Sequence, residues 1–198
     1  MKKIKVRKVA LITGATAGIG KATAALFAKN GYDIIITGRR KKRLEESALK
    51  IREKYGVKVK PLNFDVTQLR SIKKVLGSLE EDWLDIDVLI NNAGLASGFD
   101  PIYEGDVEDW DRMIDTNVKG LLYMTRMISP GMVNRKRGHI INVCSTAGHE
   151  VYPNGNVYCA TKYAVDALTK SMRIDLHTHN IRVSQVSPGH VEETEFAM

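Results

Sequence analysis

The chain has 198 residues, 43% apolar and 27% charged, the balance of a globular protein rather than a disordered or fibrous one. No apolar run approaches the roughly 18 residues of a membrane span. The apolar stretch behind the basic Met1–Lys8 stops at Thr13-Gly14, too short for a secretory leader. Cys144 and Cys159 offer neither a disulfide framework nor a CxxC metal pair and read as small buried apolar residues of a reducing compartment. With no linker, low-complexity tract or repeat, the expectation is one cytoplasmic domain over residues 1–198. The net charge of +7 favours an anionic partner. The basic run Arg39–Arg43 carries no aromatic for base stacking, so a phosphorylated small molecule suits it better than nucleic acid.

Short β-rich runs alternate with longer helical patterns. A strand is predicted over Lys8–Thr13, then a helix over Gly18–Asn30 that stops at Asn30-Gly31, a C-terminal signal. A strand over Asp33–Thr37, a helix over Lys42–Tyr55, a strand over Lys58–Asn63 and a helix over Leu69–Leu79 follow. The second half reads as a strand over Val88–Asn91, a long helix over Val107–Ser129, a strand over His139–Cys144, a helix over Val157–His177 and a strand over Arg182–Val186. This alternation predicts an α/β fold, a doubly wound parallel sheet covered on both faces, because each right-handed crossover carries its helix across the sheet. The continuous run Ile34-Ile35-Ile36 agrees, since parallel strands are buried on both sides. Ligands of such sheets bind beyond the carboxyl ends of the strands, which makes the residues just after each strand the candidates.

After the first strand comes Thr13-Gly14-Ala15-Thr16-Ala17-Gly18-Ile19-Gly20. Glycines at a strand-to-helix junction let the backbone turn tightly and approach a pyrophosphate, whose charge the helix start stabilises. The spacing is GxxxGxG, neither GxGxxG nor a P-loop. It resembles the cofactor loop of the short-chain dehydrogenase/reductase family, a resemblance that implies a Rossmann-type sheet and makes Gly14, Thr16, Gly18, Ile19 and Gly20 cofactor contacts.

The second strand ends in Thr37-Gly38-Arg39-Arg40, with no carboxylate to hold ribose hydroxyls. Arginine there accommodates a 2′-phosphate, so Arg39 and Arg40 favour NADP over NAD. Asp65-Val66, after the third strand, resembles the family's adenine-contacting pair, with helix capping near Thr67 an equal alternative. After the fourth strand, Asn91-Asn92-Ala93-Gly94 is similar to the family's NNAG signature, implying cofactor contacts at Asn91, Ala93 and Gly94. A plain Asn/Gly turn is the alternative.

Tyr158 and Lys162 are four apart on a predicted helix and share a face. Chance supplies roughly 0.6 such pairs in a chain of this composition, so spacing alone proves little. Ser145, however, follows the fifth strand at the ligand edge, and the same connection leads to Tyr158. Oxidising an alcohol requires a base beside its oxygen as hydride departs. A tyrosine near pKa 10 becomes that base if a neighbouring ammonium, for which Lys162 is the candidate, and the positive nicotinamide favour the phenolate; lowering its pKa by about 3 takes roughly 4 kcal/mol. Ser145 then bonds the same substrate oxygen. Asp115-Thr116-Asn117-Val118-Lys119-Gly120 clusters weak helix formers inside the long helix, inviting a distortion that frees a carbonyl for water. In the resembled family an Asn at the position of Asn117 holds a water in a proton relay. The implied catalytic set is Asn117, Ser145, Tyr158 and Lys162. His177 and His179, two apart, make no metal pair on a helix. His149, soon after Ser145, is a minor candidate for substrate contact.

Motifs similar to the family's run in its order from Thr13 to Phe196. Within it, VEDWDRMIDTN, GHIINVCSTAG, GNVYCATK and SPGHVEETEF resemble the NADP-dependent 3-hydroxy acid dehydrogenases that act on serine and allo-threonine. Pro188, Gly189 and Thr194 match the segment closing over the nicotinamide. The resemblance implies hydride transfer on a small 3-hydroxy acid bound at Ser145 and Tyr158, no metal, and a homodimer or homotetramer. A 3-oxoacyl thioester or other carbonyl substrate, or an NADP-binding regulator, are the alternatives. The family normally continues into substrate-covering helices and a seventh strand, which a sequence ending at Met198 is expected to lack.

Overall fold

The computed structural model describes residues 8–191. Six strands form one sheet: β1 (Val9–Ile12), β2 (Asp33–Gly38), β3 (Val59–Asn63), β4 (Ile86–Asn91), β5 (Gly138–Val143) and β6 (Ile181–Val186), in the spatial order β3-β2-β1-β4-β5-β6. Each adjacent pair is parallel. The helices are α1 (Gly18–Lys29), α2 (Lys41–Tyr55), α3 (Leu69–Gly77), α4 (Val107–Ile114), α5 (Leu121–Arg135) and α6 (Asn156–His177).

Alternation along the strands divides the apolar residues between two layers. Ala10, Ile12, Ile34, Ile36, Val88 and Ile90 face Ala24 and Ala28 of α1 and Leu44, Ala48 and Ile51 of α2. Val9, Leu11, Ile35, Leu89 and Ile140 face Ile72, Met124, Ile128, Met132 and Val165, from α3, α5 and α6. Ile34, Ile35 and Ile36 are each fully buried, as a strand covered on both faces requires, and each such side chain contributes about 1.5–3 kcal/mol. Both cysteines are free and buried.

The predicted elements are present with ends moved by one or two residues, and one region differs. In place of a single helix over Val107–Ser129, α4 ends at Ile114, a π-helical turn spans Asp115–Gly120, and α5 runs on to Arg135 through Pro130. Proline removes one helical donor, which ordinarily argues for an end. Here Pro130 and Arg126, whose carbonyl loses that donor, both face solvent. Beyond the proline, fully buried Met132 anchors the helix, and Arg135 donates to the Ile86 carbonyl at 2.9 Å. Packing outweighs the local preference.

The strand order reverses direction between β1 and β4, so the loops after these two strands diverge and leave a crevice. That crevice receives the glycine-rich loop and the Asn91–Gly94 segment.

Candidate active site

The glycine-rich loop is held from the β4 side. Thr13 Oγ1 accepts from the main-chain N–H groups of Asn92 and Ala93 at 3.0 and 2.9 Å and donates to the Ile90 carbonyl. The Asn92 amide donates to the carbonyls of Thr13 and Gly14 at 2.8 and 3.2 Å. Gly14 and Gly18 take φ of +65° and +48°, a region that favours glycine. A Cβ on Gly14 would stand 2.9 Å from the Ala93 backbone, and one on Gly20 would strike Gly14 and Asn92. The loop therefore presents main chain to the crevice. The supporting roles of Thr13 and Asn92 are not readable from sequence, since they depend on β1 and β4 being neighbours.

At the β2 end, Arg40 donates from Nη2 to Thr16 Oγ1 at 3.0 Å, joining the arginine tip to the glycine loop. Arg39 lies 3.7 Å from the Asp65 carboxylate, with its side chain 61% exposed. Asp65 Oδ1 also accepts from the Thr67 N–H at 2.9 Å, so the local turn and an ion pair coexist at this residue. Val66 is buried and packs against Gly120 of the π-turn, where a Cβ would meet its side chain at 2.8 Å. Between the starts of α1 and α2 an open crevice of about 350 Å³ is lined by Thr16, Ala17, Gly18, Lys21, Arg43 and Ser47, among others.

Asn91 turns its side chain into the core. Its amide donates to Thr125 Oγ1 and Asn142 Oδ1 at 3.0 and 2.9 Å, so its side chain is not offered to the crevice. Gly94 stands beside the reactive cluster. A Cβ there would sit 3.1 Å from Asn117 Oδ1 and 3.8 Å from Lys162 Nζ.

Asn117 lies in the π-turn. Its side chain accepts from Leu95 N–H and donates to the Leu95 carbonyl, both at 2.9 Å, and donates to Thr161 Oγ1 at 3.0 Å. At 2% exposure these bonds hold the π-turn to the loop after β4 and to α6, a placement π-helical turns often have at functional sites. Thr161, which sequence reading passed over, in turn donates to the Tyr158 carbonyl at 2.7 Å.

The chemically capable side chains meet where β5 gives way to α6. Ser145 accepts from the Ala147 N–H at 3.2 Å at the start of a short 3₁₀ turn, Thr146–Gly148, and its hydroxyl is close enough to the Tyr158 phenol to favour the phenolate. Tyr158 is 8% and Lys162 5% exposed. The Lys162 ammonium lies 5.8 Å from the Tyr158 ring centre and donates to the Val143 carbonyl at 3.1 Å.

Burial pushes the Tyr158 phenol up to about 12, opposed by the nearby Ser145 hydroxyl. It pulls Lys162 down to about 8, with nearby Cys144 acting in the opposite sense. The sequence led us to expect Lys162 to lower the Tyr158 pKa. In the chain without its cofactor, desolvation of the phenol dominates the shift, and the amine is itself desolvated. Bringing the phenol from about 12 to about 8 takes roughly 5 kcal/mol of added stabilisation of the phenolate.

Beyond β6, Pro188 accepts from the Thr146 N–H at 3.0 Å, so the Pro188-Gly189 segment borders the same cluster. Thr194 lies outside the described residues. His149 turns its ring toward Ser187, at 3.1 Å.

Comparison with known proteins agrees with this geometry. The model of the family described as short chain dehydrogenase matches residues 8–198. The NADP-dependent 3-hydroxy acid dehydrogenase YdfG of Salmonella typhi is 49% identical over 189 residues, 96% of this chain and 75% of that protein. An NADP-dependent 3-hydroxy acid dehydrogenase of Schizosaccharomyces pombe is 45% identical over 192 residues, 96% and 74% of the two chains. Among solved structures, the closed form of serine dehydrogenase complexed with NADP+ superposes with a TM-score of 0.90 at 47% identity, covering 95% of this chain and 74% of that one. The chain belongs to the short-chain dehydrogenase family.

Proposed function

We propose that the chain is an NADP-dependent oxidoreductase that interconverts the hydroxyl and the carbonyl of a small 3-hydroxy acid such as serine, allo-threonine or 3-hydroxypropionate. The observation that carries this reading is the buried Tyr158 with Lys162 5.8 Å from its ring and Ser145 beside it, at the ligand edge of the sheet. Relatives named NADP-dependent 3-hydroxy acid dehydrogenase, at up to 49% identity, support the cofactor and the substrate class.

The crevice fits a dinucleotide. Gly14 and Gly20 have no space for a Cβ against Ala93, Asn92 and Gly14, and Gly14 and Gly18 take positive φ, so a loop of main chain leads, with Thr16 and Ile19, into the N-terminus of α1. Arg39 and Arg40 would hold the 2′-phosphate, and Asp65 and Val66 the adenine. The Asn91 main chain, Ala93 and Gly94 would support the middle of the molecule, Lys162 and Tyr158 the ribose, and Pro188 and Gly189 the far end. When bound, NADP supplies the hydride acceptor and a positive charge beside Tyr158.

Ser145 and Tyr158 converge on one point, where a substrate oxygen receives a bond from each. As the hydroxyl is oxidised, ionised Tyr158 takes its proton. In the reverse direction Tyr158 returns it, and Ser145 stabilises the oxygen throughout. Lys162, poised near pH 8, carries or releases a proton at neutral pH and passes it on. Asn117 has its side-chain amide engaged, so it serves this exchange through a main-chain carbonyl loosened by the π-turn.

The chain acts as one dinucleotide-binding catalytic domain, placed in the cytoplasm and assembled as a homodimer or homotetramer. Among the described residues no helix is long and apolar enough to cross a membrane.

The test is the absorbance of reduced nicotinamide with serine, allo-threonine and 3-hydroxypropionate, using NADP and NAD in parallel. Turnover with NADP on at least one of these acids is expected. No absorbance change across the panel overturns the reading.

A further inference from the structure

The end of β6 alternates Gln185, Val186, Ser187, which sets Gln185 and Ser187 on one side of the strand. On that side they meet Asp166, one helical turn beyond Lys162 on α6, and His149, which follows the 3₁₀ turn after Ser145. The Gln185 amide nitrogen stands 3.3 Å from Asp166 Oδ1, 3.1 Å from Ser187 Oγ and 3.4 Å from His149 Nε2. His149 Nε2 lies 3.1 Å from Ser187 Oγ. Lys170 holds the other Asp166 oxygen at 2.6 Å, and the Tyr163 hydroxyl donates to the His149 carbonyl at 2.7 Å.

The donor directions are determined. A carboxylate only accepts, so the Gln185 nitrogen, not its oxygen, faces Asp166. Gln185 Oε1 is accordingly buried without a partner. Gln185 thus donates to Asp166 and to Ser187, and the Ser187 hydroxyl passes its own hydrogen to neutral His149. A protonated His149 donates to Ser187 instead, whose oxygen still has a lone pair for it. The ring holds Ser187 in either state.

On its other side the same segment is tied by main chain. The Cys144 N–H donates to the Val186 carbonyl at 2.8 Å and the Thr146 N–H to that of Pro188 at 3.0 Å. The cluster of His149, Ser187, Gln185 and Asp166 fastens the opposite side. Ser187 immediately precedes Pro188 and Gly189, the segment that borders the reactive cluster.

We infer that His149 is a positioning residue for the coenzyme: through Ser187 it fixes the Ser187–Gly189 segment against the 3₁₀ turn that carries Ser145, and so pre-forms the nicotinamide end of the site. This inference rests on the proposed function. It moves His149 from substrate contact to a role exerted through the strand end.

The experiment measures NADPH affinity, the KM for NADP, kcat and the melting temperature of the full chain as wild type, His149→Ala, Ser187→Ala, the double variant and His149→Gln. Loss of one hydrogen bond predicts NADPH affinity and KM for NADP worse by about fivefold in each alanine variant. We expect kcat within about twofold and a melting temperature within about 3 °C, since both residues lie at or near the surface. The double variant matches the singles, because the two residues act as one unit. His149→Gln, which places an amide where Nε2 stood, restores affinity to within about twofold of wild type.

An active wild type whose His149→Ala form binds NADPH equally well overturns the inference. So does an affinity loss that follows the melting temperature and is not rescued by glutamine. A wild type without NADP-dependent turnover overturns the proposed function itself.

Discussion

The Lys162 ammonium sits 5.8 Å from the centre of the Tyr158 ring and is bonded to the Val143 carbonyl, so α6 and the end of β5 share one buried cation. Both ionisable groups are displaced by burial, in opposite directions. That makes the pair the centre of the testable consequences.

Replacing Tyr158 by Phe removes the hydroxyl that exchanges the substrate proton and keeps the ring that packs beside Cys159 and Leu95. We expect kcat to fall by about 10²–10⁴-fold, with NADPH affinity within about threefold because cofactor contacts are spread over the whole crevice. Steady-state kinetics and fluorescence titration measure the two quantities. Turnover close to wild type would remove Tyr158 from the chemistry.

The same displacements give stability a signature at alkaline pH. Lys162 is lowered from 10.5 to about 8. Between those values the unfolded chain binds the proton and the folded chain does not, so this group makes stability rise with pH, by a total on the order of 3 kcal/mol. Tyr158 is raised from 10.0 to about 12. Above pH 10 the unfolded phenol ionises while the folded one keeps its proton, and stability falls again. Chemical denaturation of wild type minus Lys162→Met is expected to show the rise between about pH 8 and 10.5, and wild type minus Tyr158→Phe the fall above about 10. Flat difference curves would mean that the two groups are solvated.

Arg39 and Arg40 set the coenzyme preference in the proposed reading. Arg39 is paired with Asp65 in an exposed ion pair, which contributes little and gives way to a phosphate. Alanine at both positions removes charge-assisted bonds of about 1.5–3 kcal/mol each. The expected loss is at least about tenfold in kcat/KM for NADP, with NAD changed by less than about threefold. Equal losses for both coenzymes would place the 2′-phosphate elsewhere.

Gly148 tests how tightly Lys162 is seated. A Cβ there would stand 2.5 Å from Cys144 Sγ and 2.9 Å from the Lys162 carbonyl. The Lys162 carbonyl is backbone inside α6 and yields little. Gly148→Ala is expected to destabilise the fold by about 1–3 kcal/mol and to reduce kcat through displaced Lys162. A melting curve and a kcat both equal to wild type would show that this contact relaxes freely.

Much of the fold lay open in the sequence because its signals are local. Strand-helix alternation, Ile34-Ile35-Ile36 and the Asn30-Gly31 stop each act over a few residues, and the structure places the elements where those signals point. The weak helix formers of Asp115–Gly120 correctly marked a distortion, and the Tyr158–Lys162 spacing correctly put both side chains on one helix face. The continuation of the helix past Ser129 through Pro130 was not legible, because exposure of the two residues that bear the proline's cost is a tertiary fact.

The residues themselves fixed the strand and helix order, the main-chain glycine loop and the types of group able to move a proton. What only the three-dimensional arrangement decided is how those groups are partnered. Asn91 goes into the core, Asn117 clamps Leu95, Asn92 and Thr13 lock two strand ends, and His149 faces Ser187. It also decided how strongly the Tyr158 phenol is desolvated, since desolvation depends on everything packed around a group. Long-range contacts and burial have no local code, and at this site they outweigh the local one.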